Sequence, residues 1–201
     1  DFDNNDLGIN FKTNYYSVSG NSNYRILNPN KTFNAFRINL NSYFEFYTPT
    51  NQIQSINFNV NMSATTKKNH YYGGGINFNP FKNYDYYEPR TANRYFVNPE
   101  TLGGFLNFSS NYNNKFALDL SPYMTHVLNE NRYESGIEIS PRYRFNDAFA
   151  MVYSFDFARQ QNDVGFIDRD ADEIIFARRN RNTFTNSITS KFSISSEMNF
   201  N

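Results

Sequence analysis

The sequence predicts an all-β protein, and within that class a transmembrane antiparallel β-barrel of the outer-membrane type with about eleven visible strands. Three observations lead to this prediction. Apolar and polar residues alternate over long runs, which is typical of strands with a different environment on each face, and no comparable run has helical spacing. The runs reach about 10–15 residues, whereas a membrane-spanning strand needs about 9–11. Turn-forming residues, above all Asn, separate the runs.

Six runs carry the alternation most clearly, and each has one apolar face. In chain order these faces are Phe36, Ile38, Leu40, Phe44 and Phe46; Ile56, Phe58, Val60 and Met62; Phe116, Leu118, Leu120 and Met124; Tyr133, Ile137, Ile139, Tyr143 and Phe145; Phe149, Met151, Tyr153, Phe155 and Phe157; and Phe184, Ile188, Phe192 and Ile194. A charge at mid-membrane on a barrel surface costs about 2–4 kcal/mol, so these uncharged faces are expected to meet lipid. The alternative is a soluble β-sandwich or barrel with the same faces turned inward.

The opposite faces carry the charges, which the barrel interpretation assigns to the lumen. The predicted lumen-facing residues are Arg37, Glu45, Lys115, Asp119, Glu134, Glu138, Arg142, Arg144, Asp156 and Lys191. Their mixed signs fit either a salt-bridged plug or a weakly selective pore, and the sequence leaves both open.

The connections between runs are predicted to be short turns, except for two. Turns are expected at residues 19–21, 28–31, 48–51, 65–69, 111–114, 129–131, 146–147 and 195–197, and long loops near residues 80–101 and 160–181. Counted along the chain, the long loops fall on the same side of the sheet, as the external loops of outer-membrane barrels do. The three glycines at 73–75 lie in a strand pattern and predict a bulge or a close backbone approach, not a phosphate loop.

The composition excludes several classes of protein. The 201 residues include 19 basic and 19 acidic side chains and no cysteine, which argues against a nucleic-acid-binding protein, a disulfide scaffold and a thiolate metal site. Residue 1 is Asp with no apolar leader before it, and residues 197–201 resemble the start of a further strand. We therefore expect residues 1–201 to form one partial barrel domain, because bacterial barrels close with an even number of strands.

Two constellations in the predicted long loops could carry binding chemistry. Asp168, Asp170 and Asp172 alternate in the second loop, and such carboxylates can converge on calcium; the alternative is a solvated acidic loop. In the first loop the candidates for binding a sugar or peptide, or for pinning the loop in place, are Tyr84, Tyr87, Glu88, Arg90 and Arg94. In the pinning alternative, Glu88 and Arg90 pair with charges of the lumen. No catalytic constellation and no other cofactor site is predicted. Glu134 and Glu138 share one face but lie about 13–14 Å apart by strand rise, too far for a glycosidase pair.

Several segments resemble a known family. They are residues 5–8 (N-D-L-G), 24–33 (Y-R-I-L-N-P-N-K-T-F), 84–94 (Y-D-Y-Y-E-P-R-T-A-N-R), 108–120 (F-S-S-N-Y-N-N-K-F-A-L-D-L), and 164–165 followed by 176–179 (F-A-R-R). Together they resemble the uncharacterised outer-membrane barrel family called domain of unknown function 5916. The resemblance implies the outer membrane of a Gram-negative bacterium of the bacteroidete type, and a barrel that follows a periplasmic domain resembling carbohydrate-binding module family 9. It implies no catalytic or binding residues.

These observations lead to an expected function and two alternatives. The first expectation is a non-enzymatic barrel that is a structural or accessory component of a larger envelope complex, or that anchors a periplasmic domain. The alternatives are a barrel that transports a solute or glycan fragment, and an outer-membrane hydrolase. The expected partners are outer-membrane lipid, proteins of an envelope complex and a glycan, with no nucleic acid.

Overall fold

The strands dominate the molecule. The computed structural model describes residues 14–193 and the backbone of residues 199 and 200, and these residues form twelve strands and no helix. The strands are β1 (Tyr15–Ile26), β2 (Phe33–Tyr47), β3 (Gln52–Thr66), β4 (Tyr71–Asn79), β5 (Asn83–Asp85), β6 (Phe96–Asn98), β7 (Thr101–Ser109), β8 (Phe116–Val127), β9 (Arg132–Arg144), β10 (Phe149–Asp170), β11 (Glu173–Ser193) and β12 (Asn199–Phe200). None of the described residues forms a helix long and apolar enough to cross a membrane.

Ten of these strands form one antiparallel sheet in the order β1-β2-β3-β4-β7-β8-β9-β10-β11-β12, and β5 and β6 form a separate hairpin between β4 and β7. The predicted all-β antiparallel fold is therefore confirmed. Within the described residues β1 pairs only with β2, and the far end of the sheet is β11 with two residues of β12. The sheet is thus open over the part of the chain that the structure describes.

The register keeps one polar face continuous across the sheet. A single row of directly paired residues runs through Asn21, Asn41, Asn59, Asn77, Gly103, Thr125, Glu134, Gln160 and Arg181, on nine successive strands. Because side chains alternate along a strand, the residues two before and two after each member share this face. We call it the polar face and the opposite one the apolar face.

Burial on the two faces is the reverse of that in a water-soluble core. Large side chains of the apolar face are exposed, among them Leu106 at 65 % and Ile188 at 68 %. Among the described residues the buried apolar side chains are Ile56, Ala117 and Val127, with Pro89 between β5 and β6, whereas the buried polar ones are Asn39, Glu45, Gln54 and Ser140. The polar face is therefore the inner face of the sheet.

The sheet is rolled around this inner face. Glu45 on β2 and Gln160 on β10 line the same cavity. In a flat sheet, six strand spacings of about 4.8 Å would separate these two strands by roughly 29 Å. The sheet therefore forms a trough with the polar face inside, and the cavity lies at one of its ends.

The close backbone approach predicted for the glycines at 73–75 is present on β4. A Cβ atom at Gly75 would lie 2.8 Å from Asn61 Cβ, from a Phe105 ring carbon and from the Val60 carbonyl oxygen. Only glycine fits there, because these distances are shorter than carbon atoms tolerate.

Two predicted connections are wrong. Residues 19–21 lie inside β1, where Gly20 pairs with Ser42 and the Asn21 amide donates to Asn41 Oδ1 at 2.5 Å. The predicted loop at 160–181 consists mostly of β10 and β11, which continue to a tight turn after Asp170. Irregular pairing between Gln160 and Asp163 shifts the alternation of apolar and polar residues along β10 by one residue. The sequence therefore lacks the regular pattern by which a strand is recognised at this point. The predicted turn at 195–197, Ile194 and the motif at 5–8 lie outside the described residues.

Candidate functional site

Residues 80–100, which we call the cap, connect β4 to β7 and contain the β5–β6 hairpin. On one side the cap contacts β2 and β3. The Tyr86 ring stacks on Tyr47 with centroids 4.1 Å apart, and its hydroxyl donates to Gln52 Oε1. Asn83 Oδ1 accepts the Ile56 N–H at 3.1 Å. These contacts fix one end of the cap on the wall of the trough.

On its other side the cap contacts the hairpin formed by β10 and β11. Glu88 Oε1 accepts the Phe166 N–H at 2.8 Å, beyond the point where β10 stops pairing with β9. The Arg90 guanidinium lies 4.7 Å from the centre of the Phe166 ring, and Arg94 donates to the Asp172 carbonyl at 3.5 Å. The cap thus bridges two regions that are five strands apart in the sheet, and it satisfies a backbone group on a free strand edge.

A polar cavity of about 340 Å³ lies between the cap and the polar face. This volume is within the range of about 300–1,000 Å³ typical of small-molecule sites. Its walls come from both sides of the trough, from β7 and β8, and from the cap. The lining side chains include Glu45, Gln54, Tyr84, Asp85, Tyr87, Thr125, Arg132, Glu134, Gln160 and Asp163.

Two β-bulges shape this cavity from opposite walls. At Gln54 the register of β2 with β3 shifts by one residue, and this side chain is turned inward with 3 % exposure. Between Gln160 and Asp163 the register of β10 with β11 also shifts, and Asn162 has a positive φ of 53°. Bulges re-aim side chains and are frequent beside functional sites. Here both bulges contribute side chains to the same cavity.

The carboxylates of the cavity are held by neighbouring donors. Glu45, which is only 4 % exposed, accepts from the Tyr43 hydroxyl at 2.7 Å. Glu134 accepts from the Gln160 amide at 3.1 Å and from the Tyr123 hydroxyl at 3.3 Å. These bonds position each carboxylate against the cavity wall.

The cavity carries a formal charge of −3, because four acidic side chains and one arginine line it. Asp85 accepts the backbone N–H groups of Tyr87 and Glu88 at 2.8 and 3.0 Å, which orders this stretch of the cap. Asp163 pairs with Arg179 at 2.9 Å. A site of this sign disfavours anions.

Tyr87 enters the cavity from the cap as a neutral phenol. Burial raises its pKa, and the nearby negative charges of Glu45 and Asp85 add to the increase, while a hydrogen bond with Gln54 acts in the opposite direction. A neutral tyrosine can both donate and accept hydrogen bonds. Tyr87 therefore adds to the cavity wall a hydroxyl that can act as donor and as acceptor.

One buried atom of the lining side chains, Gln160 Oε1, has no hydrogen-bond partner among the described residues. The other two buried polar groups have neighbours: Arg132 Nε lies 3.4 Å from Glu130 Oε2, and the Gln54 amide bonds to Tyr87. Buried polar atoms are rarely left unpaired in proteins, so the Gln160 oxygen marks a place in the wall where a donor would be satisfied.

The chain was compared with known protein families. The family described as a domain of unknown function (DUF5916) matches residues 1–201. The chain belongs to this family. No curated protein and no solved structure matches the chain. The cavity of this DUF5916 domain is therefore interpreted from its own residues.

The register of the DUF5916 domain places the predicted lumen residues on the polar face. Nine of them lie in the strands on that face: Arg37, Glu45, Asp119, Glu134, Glu138, Arg142, Arg144, Asp156 and Lys191. Lys115 lies immediately before β8. Glu138 pairs directly with Asp156, and only Glu45 and Glu134 of the set line the cavity. That the polar face forms a lumen stays a prediction.

The five predicted cap residues divide into two groups. Tyr84 and Tyr87 line the cavity. Glu88, Arg90 and Arg94 contact the β10–β11 hairpin, where their partners are a backbone N–H, an aromatic ring and a backbone carbonyl. Pinning was expected to use lumen charges, and the observed partners differ from that expectation.

The three candidate calcium ligands are not brought together. Asp168 and Asp170 lie on β10 and Asp172 in the following turn, and Asp168 accepts the neighbouring Arg169 N–H at 2.8 Å. Across residues 14–193, no group of three or more His, Asp or Glu side chains is arranged to hold a metal ion. The geometry gives no support to a calcium site here.

The cavity residues missed by sequence reasoning include Gln54, Asp85, Thr125, Arg132, Gln160 and Asp163. A signal for the first was present: Ile53 and Ile56 are separated by three positions where strict alternation requires an even number. An interrupted alternation of this kind predicts a bulge. Nothing in the sequence indicates that the second bulge faces the first across the trough.

Proposed function

We propose that this chain is part of the wall of an outer-membrane β-barrel, with the apolar face against lipid and the polar face toward the interior. The observation that carries the proposal is the reversed burial, because a soluble domain of this size buries its leucine, isoleucine and phenylalanine side chains. Here Val60, Leu106 and Ile188 are exposed while Asn39 and Glu45 are buried. An exposed apolar surface of this extent needs a covering, and lipid supplies one on all sides.

Strand length and the distribution of charged side chains also support placing the apolar face against lipid. The shortest strands of the main sheet before β12 have 9 residues, the number needed to span a bilayer, and β2 and β3 have 15. In the described strands, charged side chains enter the apolar face only toward the cap end of β10 and β11, as at Arg159 and Arg178. The part of this face away from the cap is thus suited to hydrocarbon.

We further propose a non-enzymatic role, as a structural or accessory component of an envelope complex or as the anchor of a periplasmic domain. The cap supports this role because it covers one end of the polar face and contacts both walls. Transport of a solute is the second candidate, favoured by the polar cavity. Co-purification of the full-length protein from native membranes in mild detergent separates them. A stoichiometric partner supports the accessory role, whereas a solitary protein with stable single-channel conductance supports transport.

Lipid contact can be tested with a single introduced tryptophan, because the chain has none. Ile188→Trp places the reporter on the apolar face of β11, and Ser187→Trp places it on the adjacent polar-face position, which is also exposed. In liposomes of brominated phosphatidylcholine we expect strong quenching at position 188 and weak quenching at 187. Equal quenching at the two positions, or none at 188, would contradict the proposed lipid-facing surface.

A further inference from the structure

We propose that the cavity beneath the cap binds a neutral, polyhydroxylated ligand, namely a saccharide of one or two rings. The cavity lies between the polar face and the cap. It lies on the polar face of the sheet. The proposal therefore holds whether or not the apolar face contacts lipid. Four features of the cavity define the ligand class.

The first feature is the set of hydrogen-bonding groups on the wall. Gln160 Oε1 is buried without a partner among the described residues and needs a donor. The wall also carries the hydroxyls of Tyr87 and Thr125, which donate and accept, so a ligand with several hydroxyls can bond to groups of both kinds. Gln54 is nearly fully buried and projects from a bulge, which fixes its amide in the wall.

The second feature is charge. The formal charge of −3 on the lining disfavours phosphorylated or acidic sugars. A ligand with only ammonium groups offers no acceptor to the hydroxyl donors of the wall, Thr125 and Tyr87. A neutral ligand avoids both problems, since Glu45 and Glu134 can accept its hydroxyl protons.

The third feature is an aromatic row that ends at the cavity. Tyr47 stacks on Tyr86 at 4.1 Å, Tyr86 contacts Tyr95 at 5.4 Å, and Tyr95 contacts Tyr84 at 5.1 Å. Tyr84 also lines the cavity. Tyrosine offers an apolar ring face beside a polar hydroxyl, which suits the alternating C–H and O–H surfaces of a sugar ring.

The fourth feature is size. The cavity volume of about 340 Å³ corresponds to the volume of roughly eleven water molecules at about 30 Å³ each. This space holds one sugar ring with its hydroxyl groups, or two rings where the second extends to the tyrosine rim. Longer chains would need the cap to move.

The test is saturation-transfer NMR on the full chain in a detergent without a sugar headgroup, since glucosides would compete. The probes are glucose, galactose, mannose, xylose, maltose and cellobiose, with glucuronate as the anion and spermidine as the cation. We expect transfer to at least one neutral sugar and little to glucuronate or spermidine. Transfer to none of the neutral sugars, or transfer mainly to spermidine, would overturn the proposal.

Three variants locate the binding. Gln54→Leu nearly keeps the side-chain volume and removes the carbonyl and the NH₂ of the side-chain amide, and we expect at least a tenfold loss of affinity for the bound sugar. Glu134→Gln lowers the negative charge, and we expect glucuronate binding to rise relative to the neutral sugar. The matched control is Glu138→Gln, on the same face of β9 but outside the cavity lining, which should bind like the unaltered protein. Circular dichroism checks the fold of each variant, and equal losses in Gln54→Leu and Glu138→Gln would contradict the assigned position.

Discussion

The two halves of the polar face satisfy their polar groups in different ways. On β1 to β4 the face is built largely of asparagine, whereas on β8 to β10 it carries acidic and basic side chains with tyrosine and serine donors. An amide both donates and accepts, so asparagines can satisfy one another across strands. A carboxylate only accepts and needs a different residue beside it. The same strand geometry therefore supports an asparagine ladder whose hydrogen bonding is independent of charge, and charged pairs, such as Glu45 with Tyr43 on β2, whose bonding depends on it.

The asparagine half forms a ladder of side-chain hydrogen bonds. Asn21 donates to Asn41 at 2.5 Å, Asn41 to Asn59 at 2.8 Å, and Asn59 to Asn77 at 2.8 Å. A parallel bond joins Asn39 to Asn61 at 2.6 Å. Each amide in the middle of the ladder is used in both directions.

The charged half uses separate donor–acceptor pairs. The Tyr112 hydroxyl donates to the two carboxylate oxygens of Asp119 at 2.6 and 2.5 Å, and the Arg142 guanidinium lies 4.3 Å from the centre of the Tyr112 ring. Ser140 donates to Glu138 at 3.0 Å. The bond of Tyr112 depends on pH because a raised pKa is found for its phenol, whereas the asparagine ladder contains no titratable group.

The largest predicted effect comes from breaking the ladder at its centre. Asn59→Leu leaves Asn41 without its acceptor and Asn77 without its donor, so we expect a loss of about 2–4 kcal/mol in the free energy of unfolding. The measurement is urea unfolding in detergent micelles, followed by circular dichroism. Asn21→Leu, at the exposed end of the ladder, is the control and should cost less than about 1 kcal/mol. Equal costs for the two variants would show that the ladder does not act as a unit.

An intermediate effect is expected in the charged half at high pH. Burial raises the pKa of Tyr112 above its ordinary value of 10, with a further increase from Asp119. The neutral phenol is the donor, so the bond to Asp119 is fully present below pH 10 and is lost as the pH rises through the raised pKa. Tyr112→Phe should cost about 1 kcal/mol at neutral pH, since Tyr112 is partly exposed, and should remove this part of the alkaline dependence. Urea unfolding between pH 8 and about pH 11 tests it, and an unchanged pH profile in the variant would contradict it.

The smallest effect concerns an exposed ion pair at the cap end. Arg178 Nη1 lies 3.3 Å from Glu130 Oε2, and its side chain is 54 % exposed. We expect Arg178→Gln to change stability by about 0.2–1 kcal/mol and the difference to shrink in high salt, since Glu130 keeps its second partner, Arg132 Nε, at 3.4 Å. A double-mutant cycle with Glu130→Gln at two salt concentrations measures the coupling. A coupling energy that does not change with salt concentration would contradict an attraction between the two charges that salt screens.

Much of the fold was predictable because successive side chains of a strand point to opposite faces, so the sequence shows which residues share a face. The alternation of Ile56, Phe58, Val60 and Met62 requires one apolar face, and this face is the one observed. The asparagine ladder was not predictable to the same degree. Whether Asn59 meets Asn41 depends on the register of two strands, and a shift of one residue would turn every side chain to the other face.

The candidate site was less predictable than the strands. Tyr84 and Tyr87 were identified because their segment is rich in aromatic and charged residues. Gln54 and Gln160 lie more than a hundred residues apart in the sequence, and they line the same cavity only because the sheet is rolled. The loop predicted at 160–181 was wrong for a related reason, since the bulge before Asp163 breaks the pattern that identifies a strand. Local patterns describe single strands, whereas cavities depend on curvature and on bulges.

The bulge at Asn162 also decides where the chain can change its length. A residue deleted from the middle of β10, for example Phe155, would invert the faces of the residues that follow relative to β9. Deletion of Asn162 removes only the extra residue, and Asp163 stays opposite Arg179. Bulges are therefore the positions in these long strands where a single-residue deletion leaves the inside and the outside of the sheet unchanged.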